Sequence, residues 1–260
     1  MKTDALSQAT VSQALAKVPE VTLVFWLAKI AATTLGETAG DAVTMSMNLG
    51  YLVGTLIFAS LFAACVWAQI RAKAFNATLY WATIVATTTV GTTLADFADR
   101  SLGIGYAGGA SLLLSLLLLS LLWWQQRTGS IAVASVNNPR AEAHYWLSIM
   151  FSQTLGTALG DWTADGVGLG LGYGGASLLF GALLAALVLA YYYSRISRTA
   201  LFWTAFILTR PLGATVGDFL DKPLAAGGLA LSRYSASAAL LAFMVLILIS
   251  FPQRAARQAH

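Results

Sequence analysis

Four times along this chain a tryptophan is followed ten residues later by a glycine and, five residues beyond that, by an aspartate. The sets are Trp26, Gly36 and Asp41; Trp81, Gly91 and Asp96; Trp146, Gly156 and Asp161; and Trp203, Gly213 and Asp218. The text around the last two members reads GETAGD, GTTLAD, GTALGD and GATVGD. Each copy leads into a glycine-rich entry to a further apolar stretch: Leu49-Gly50-Tyr51, Ile104-Gly105-Tyr106, Leu171-Gly172-Tyr173 and the weaker Gly227-Gly228-Leu229. Tryptophan and aspartate occur only eight times each in 260 residues, so a register shared by four places marks an internal repeat. A period of this length is the signature of a supersecondary unit copied in tandem, here a pair of helices.

Composition says where such pairs live. Hydrophobic residues make up 58% of the chain and charged residues 10%, against roughly 25% charge in a soluble domain. A water-soluble globule of this length cannot be covered with so few charges, and a disordered chain needs more polarity still. The single cysteine, Cys65, excludes a disulfide scaffold, and two histidines, His144 and His260, provide neither a zinc site nor a haem ligand pair. A helix needs roughly 20 apolar residues to cross a bilayer. Such segments fall near Val21–Asp41, Leu49–Ile70, Ala77–Asp96, Tyr106–Trp124, Tyr145–Asp161, Tyr173–Tyr193, Thr199–Asp218 and Ala230–Phe251. None alternates like a strand along its whole length, which speaks against an outer-membrane barrel. Met1 to Lys17 is polar, contains Asp4 and reads as a tail without a signal peptide.

The expected fold is an all-α membrane protein of eight transmembrane helices. They form four parallel two-helix repeats around a pseudo-symmetry axis normal to the membrane. The expected layout is an N-tail at 1–17, repeats at 18–73 and 74–126, a linker at 127–143, repeats at 144–195 and 196–251, and a C-tail at 252–260. Ten bases (Lys2, Lys17, Arg71, Lys73, Arg127, Arg140, Arg195, Arg198, Arg254 and Arg257) lie on the side of the two termini. Arg100, Lys222 and Arg233 lie on the other. The positive-inside rule then places both termini in the cytoplasm of a bacterium, with the helices in its inner membrane.

The opening KVPEVTLVFWLAKIAATTLGETAGD, Lys17 to Asp41, resembles the first repeat of a family of bacterial membrane proteins. That family is built from four tandem copies of a two-helix repeat of unknown function, each with a characteristic tryptophan. The resemblance spans Lys17 to Phe251. It implies the fold and the repeat count and brings no substrate.

At about 100° per residue, Trp26, Lys29, Thr33, Gly36, Glu37, Gly40 and Asp41 share an arc of roughly 140° on the first helix. The same register in the other repeats defines layers. Seven residues after each tryptophan stand Thr33, Thr88, Gln153 and Arg210; eleven after stand Glu37, Thr92, Thr157 and Ala214; fifteen after stand the four aspartates. Gly-x-x-x-small pairs in every copy suit close helix packing. Asp99, Asp165 and Asp221 read as solvated turn residues, and Pro211 is expected to loosen the seventh helix.

Asp41, Asp96, Asp161 and Asp218, with Glu37, are the candidate cation or proton site. The four aspartates are also a candidate metal set, because confined carboxylates must bind a cation or a proton. Thr33, Thr88, Gln153, Arg210, Thr92, Thr157 and Lys29 are the candidate polar pathway. Ionisable residues in a membrane interior normally have a partner, and Glu37 with Arg210 or Lys29 is the expected pair. Oxygen ligands without cysteine or histidine suit hard ions such as Mn²⁺ or Mg²⁺, and protons. The leading expectation is a transport protein for such a cation, with the bilayer as its surroundings and homo-oligomer formation open. The alternatives are a non-transporting assembly or sensor protein with a structural polar core, and a transporter of small organic cations contacted by the repeat tryptophans. No motif of an enzyme, a cofactor site or a nucleic-acid binder stands in the chain.

Overall fold

A computed structural model describes residues 16–256 of the chain. The N-tail through residue 15, and Arg257 to His260, lie outside the described residues. Among those described, the secondary structure is helical, without strands. Eight long helices occur: α1 (Leu23–Asp41), α2 (Gly50–Arg71), α3 (Ala77–Asp96), α4 (Tyr106–Thr128), α5 (Pro139–Ala164), α6 (Gly172–Tyr193), α7 (Arg198–Asp221) and α8 (Arg233–Ser250).

The odd and even helices start differently. Each odd helix opens on a polar side chain that accepts from a first-turn amide: Thr22 from Phe25, Asn76 from Leu79, Asn138 from Arg140 and Ala141, and Ser197 from Ala200. Among the even helices, α2, α4 and α6 open on the glycine of the repeat's second signature. Gly50, Gly105 and Gly172 have φ of +75°, +78° and +67°, a backbone region in which a Cβ is costly. The fourth copy departs from this pattern. A 3₁₀ turn at Leu224–Ala226 intervenes, the left-handed positions are Gly227 and Ala230, and α8 begins at Arg233, three residues after the expected start. Helix α5 also exceeds its apolar stretch, because Asn138 and Pro139 start it two turns ahead of Tyr145. Helix α7 continues through Pro211 without a break.

The odd helices form a closed inner ring: α1 packs on α3, α3 on α5, α5 on α7, and α7 on α1. Glycine makes each contact possible. A Cβ on Gly36 would run into the Thr88 side chain, one on Gly91 would lie 2.9 Å from the Gln153 carbonyl carbon, one on Gly156 would strike the Arg210 stem, and one on Gly213 would strike Thr33. So the glycine of every repeat receives the layer residue that stands seven after the tryptophan of the next, and the fourth closes on the first. One turn further, Gly40 faces Thr92, Gly160 faces Ala214, and Gly217 faces Glu37. Advance along one helix matches advance along its neighbour, so adjacent inner helices run parallel.

The even helices lie outside this ring, each against the inner helix of the following repeat: α2 on α3, α4 on α5, α6 on α7, and α8 back on α1. These four are long and apolar enough to cross a membrane, and most of their surface is exposed. The inner helices fall short of that measure because they carry the threonines, acids and bases, most of them buried.

An aromatic collar closes the ring at the tryptophan end. The aromatic residue preceding each signature tryptophan meets the tryptophan of the neighbouring repeat. Centroid distances are 5.5 Å for Phe25–Trp81, 5.7 Å for Tyr80–Trp146, 6.2 Å for Tyr145–Trp203 and 5.8 Å for Phe202–Trp26. Tyr80 and Tyr145 also share a hydroxyl hydrogen bond of 2.7 Å. Beyond the collar, residues 17–20 pair with the 254–256 segment and with the Val136 carbonyl. There Lys17 Nζ binds the terminal carbonyls of α2 at Gln69 and Ile70 and pairs with Glu142 at 2.7 Å.

Because no room exists at the ring glycines, Gly36→Ala and Gly213→Ala should each destabilise the protein by about 2 kcal/mol. Gly181→Ala, on α6 with open space around the new methyl, should be neutral or mildly stabilising. Thermal unfolding of the purified protein in detergent separates the two classes. Equal effects at Gly36 and Gly181 would contradict the packing described.

Candidate functional site

The layers predicted from the repeat register are real neighbours, but they are not four-fold equivalent. At the middle layer, Arg210 extends from α7 into the ring. Its Nη2 donates to Glu37 Oε2 at 3.0 Å, Thr92 Oγ1 at 2.6 Å and Thr157 Oγ1 at 2.5 Å. One guanidinium nitrogen thereby gathers the polar residues that stand eleven after the tryptophans of the other three repeats. The fourth position, Ala214, leaves space for the arrangement. Of the two partners foreseen for Glu37, the structure selects Arg210, and both members are buried.

Lys29 stands apart from that pair. It is completely buried, its equivalents in the other repeats are Ile84, Ile149 and Phe206, and its Nζ lies 4.2 Å from the Phe206 ring centre. Thr33 and Thr88 use their hydroxyls as staples. Thr33 donates to the Ile30 and Thr209 carbonyls, and Thr88 to those of Val85 and Ala32. Gln153 is fully buried in the same layer.

The four register aspartates are buried at the opposite end from the collar and divide into two clusters. In one, Lys222 Nζ bridges Asp41 at 2.5 Å and Asp218 at 2.9 Å, while Arg233 joins Asp221 at 2.7 Å and Asp41 at 3.7 Å. In the other, Arg100 bridges Asp96 at 2.7 Å and Asp161 at 3.7 Å. The four register aspartates, expected as one cation or proton site, therefore form two bridged pairs, each spanning two repeats. Asp221 is buried within the first cluster, which corrects its reading as a solvated turn residue; its side chain is held by Arg233. Asp165 does shape a turn, accepting from the Val167 amide. For a metal ion, the oxygens that come within 4.8 Å of one another belong to Asp41, Asp218 and Asp221, not to the four in register.

Lys222 and Arg100 are held charged. Burial pulls the Lys222 ammonium down, but Asp218, Asp41 and Asp221 together outweigh it and leave its pKa well above the ordinary lysine value. For Arg100, burial is likewise outweighed by Asp96 and Asp161. The charge count is then uneven. Joined by ion pairs, the first cluster holds three acids and two bases, and the second two acids and one base. Each is one positive charge short.

Two sets of residues in these sites escape the sequence reading. The bases Lys222 and Arg100 occupy the same place four residues after an aspartate, in Asp96-Phe97-Ala98-Asp99-Arg100 and Asp218-Phe219-Leu220-Asp221-Lys222. This motif of the even repeats was the available signal. The collar's second aromatic was also legible, as the pair Phe-Trp, Tyr-Trp, Tyr-Trp and Phe-Trp in the four copies. The signature tryptophans are engaged in that collar, and only Trp26 also borders a lateral groove of about 490 Å³ between α1, α6 and α7, which no carboxylate lines.

Lys222 is largely buried, so Lys222→Met strands Asp218, leaves Asp41 with Arg233 at 3.7 Å alone, and should cost about 3 kcal/mol. Adding Asp41→Asn and Asp218→Asn should recover most of that loss, as coupled neighbours do in a mutant cycle. Arg100→Met should cost less, because the Arg100 side chain is 37% exposed and water screens its pairs. Unfolding midpoints in detergent give the comparison, and additive losses would argue against the bridge.

Comparison with curated proteins finds no match, and comparison with solved structures finds none either. Four segments of the chain, 24–75, 79–129, 144–197 and 201–254, each match the family described as a Repeat of Unknown Function (DUF347). Each matched segment holds most of one inner helix, its signature tryptophan and glycine, its register aspartate and the outer helix that follows. With four tandem copies covering most of its length, the chain belongs to this DUF347 repeat family.

Proposed function

We propose that the protein is an integral membrane transport protein that moves a hard cation, with protons as the carried or coupled species, along the axis between the inner helices. In this reading all eight helices cross the membrane. The four repeats stand parallel around an axis normal to it, in a bacterial inner membrane, with both termini in the cytoplasm. The outer helices meet lipid, and the inner ones, shielded by them, carry charge at a depth where an unshielded residue costs at least about 2.5–3.5 kcal/mol.

The observation that carries the reading is the deficit of one positive charge in each buried cluster. Deep in a protein such an excess draws in a proton or a cation. Lys222 and Arg100 act as tethered counter-ions, and an arriving cation competes with them for the same oxygens. Protons suit this arrangement better than a divalent metal, since one charge balances each cluster and no base has to leave. The Glu37–Arg210 pair, about 6 Å further along the helix by its four-residue spacing from Asp41, is the next acid on the route. The aromatic collar and the salt-bridged clusters close the two ends, so movement requires one end to open at a time.

One observation favours a second reading, a non-transporting assembly protein: each register aspartate already has a base beside it. The two readings separate on flux. In liposomes holding the purified protein and a pH-sensitive dye, with and without external Mn²⁺ or Mg²⁺, an imposed ion gradient should drive proton movement above the level of empty liposomes. Asp41→Asn with Asp218→Asn, or Asp96→Asn with Asp161→Asn, should bring it down to that level while the protein stays folded. Undiminished flux in both double variants sinks the proposed role of the clusters, and an absence of flux in the unaltered protein favours the assembly reading.

A further inference from the structure

The centre of the ring has the opposite imbalance from its outer end. Between the collar and the aspartates, the inner helices contribute two bases, Lys29 and Arg210, and a single acid, Glu37. Glu37 is spent on Arg210. Lys29 stands eight residues before Glu37 and twelve before Asp41 on the same helix, a rise of about 12 and 18 Å. No acid stands beside it: α3 has no ionisable residue from Trp81 to Ala95 and α8 none from residue 235 to 250, while α7 presents Arg210 and the ring of Phe206.

The same two turns of the bundle hold several polar atoms that bond to nothing among the described residues. They are Lys29 Nζ, both ends of the Gln153 amide, Arg210 Nε and Nη1, and the hydroxyls of Thr87 and Ser152. All five side chains are completely buried. A buried donor left without an acceptor costs about 1–3 kcal/mol, and more when charged. Counted by chemistry, N–H donors outnumber the acceptors, which are the Gln153 carbonyl and the two hydroxyl oxygens. The group that satisfies such a set accepts hydrogen bonds and carries negative charge.

We infer that Lys29, Gln153 and Arg210, three and seven residues after their repeats' tryptophans and so within about one turn of each other along the bundle, bind one small monovalent anion, of the size of chloride or formate. Protonated Lys29 and the free guanidinium N–H groups hold its charge, and the Gln153 amide orients it. One anion balances the excess of one base over the acids, so the anion and the Lys29 proton enter together. The inference extends the proton-linked reading above by naming a co-substrate class, but the site stands on its own as a binding site.

The test uses the full-length protein in detergent, titrated with sodium chloride or sodium formate at ionic strength matched by sodium gluconate, whose anion is much larger than chloride or formate. Thermal unfolding and tryptophan fluorescence report binding. We expect a saturable response to chloride and formate that tightens as pH falls, by up to about tenfold per pH unit when one proton accompanies each anion. Lys29→Met should weaken it at least about tenfold, the loss of one charge-assisted bond, and Gln153→Leu should weaken it without removing a charge. If Lys29→Met fails to fold, Gln153→Leu carries the comparison. A response no larger than that to gluconate means that the site holds water only and overturns the inference, as does an undiminished response in the foldable variants. Anion binding that persists in a protein showing no flux retires the transport reading alone.

Discussion

Close approach of the four inner helices is the constraint on which everything else in this protein rests. It is set by glycine at one position per repeat, where the next helix places a side chain against bare backbone. In a bilayer, helices gain little from excluding water from each other, so contact surfaces of small residues that admit tight packing and interhelical hydrogen bonds have to hold them together. The threonine hydroxyls that reach across to carbonyls of the adjacent helix are such bonds. Widen the ring by one methyl at each contact and Arg210 no longer reaches three repeats from one nitrogen.

Tight packing also decides the electrostatics. Charges brought into a dry interior must be balanced nearby, because attraction and desolvation both grow as the dielectric falls. The protein balances them locally but incompletely. The outer clusters each have an acid in excess, and the centre has a base in excess. Four equal repeats would place four equal charges in each layer and repel. Divergence of the copies, with arginine in one, glutamate in another and a base after the aspartate in alternate ones, converts a repulsive symmetric stack into pairs.

Sequence patterning revealed faces better than partners. The register of Trp26, Gly36 and Asp41 shows which side of α1 turns inward, since helical period is a local property. It does not show that Glu37 meets Arg210 and not Lys29, a choice between residues 173 and 8 positions away that depends on how the ring closes. Asp221 illustrates the same limit. Its spacing from Asp218 reads as a turn, and only the return of Arg233 across a 3₁₀ turn buries it. The start of α8 was illegible for a related reason: Ala230 adopts a positive φ that nothing in its residue type announces. Of the eight predicted crossings, length and hydropathy support the four outer helices, and the inner four carry the threonines, acids and bases that are buried against one another.

The outer helix of each repeat rests on the inner helix of the next, and α8 comes back to α1. The repeat unit of the sequence is therefore not the unit that packs. During synthesis α1 enters its surroundings with Lys29 and Glu37 exposed, and Arg210 follows 173 residues after Glu37. At about 5–20 residues per second that wait lasts on the order of ten to thirty seconds. Until then Glu37 waits without its partner, and α7, the seventh of the eight helices to emerge, is the one that supplies it.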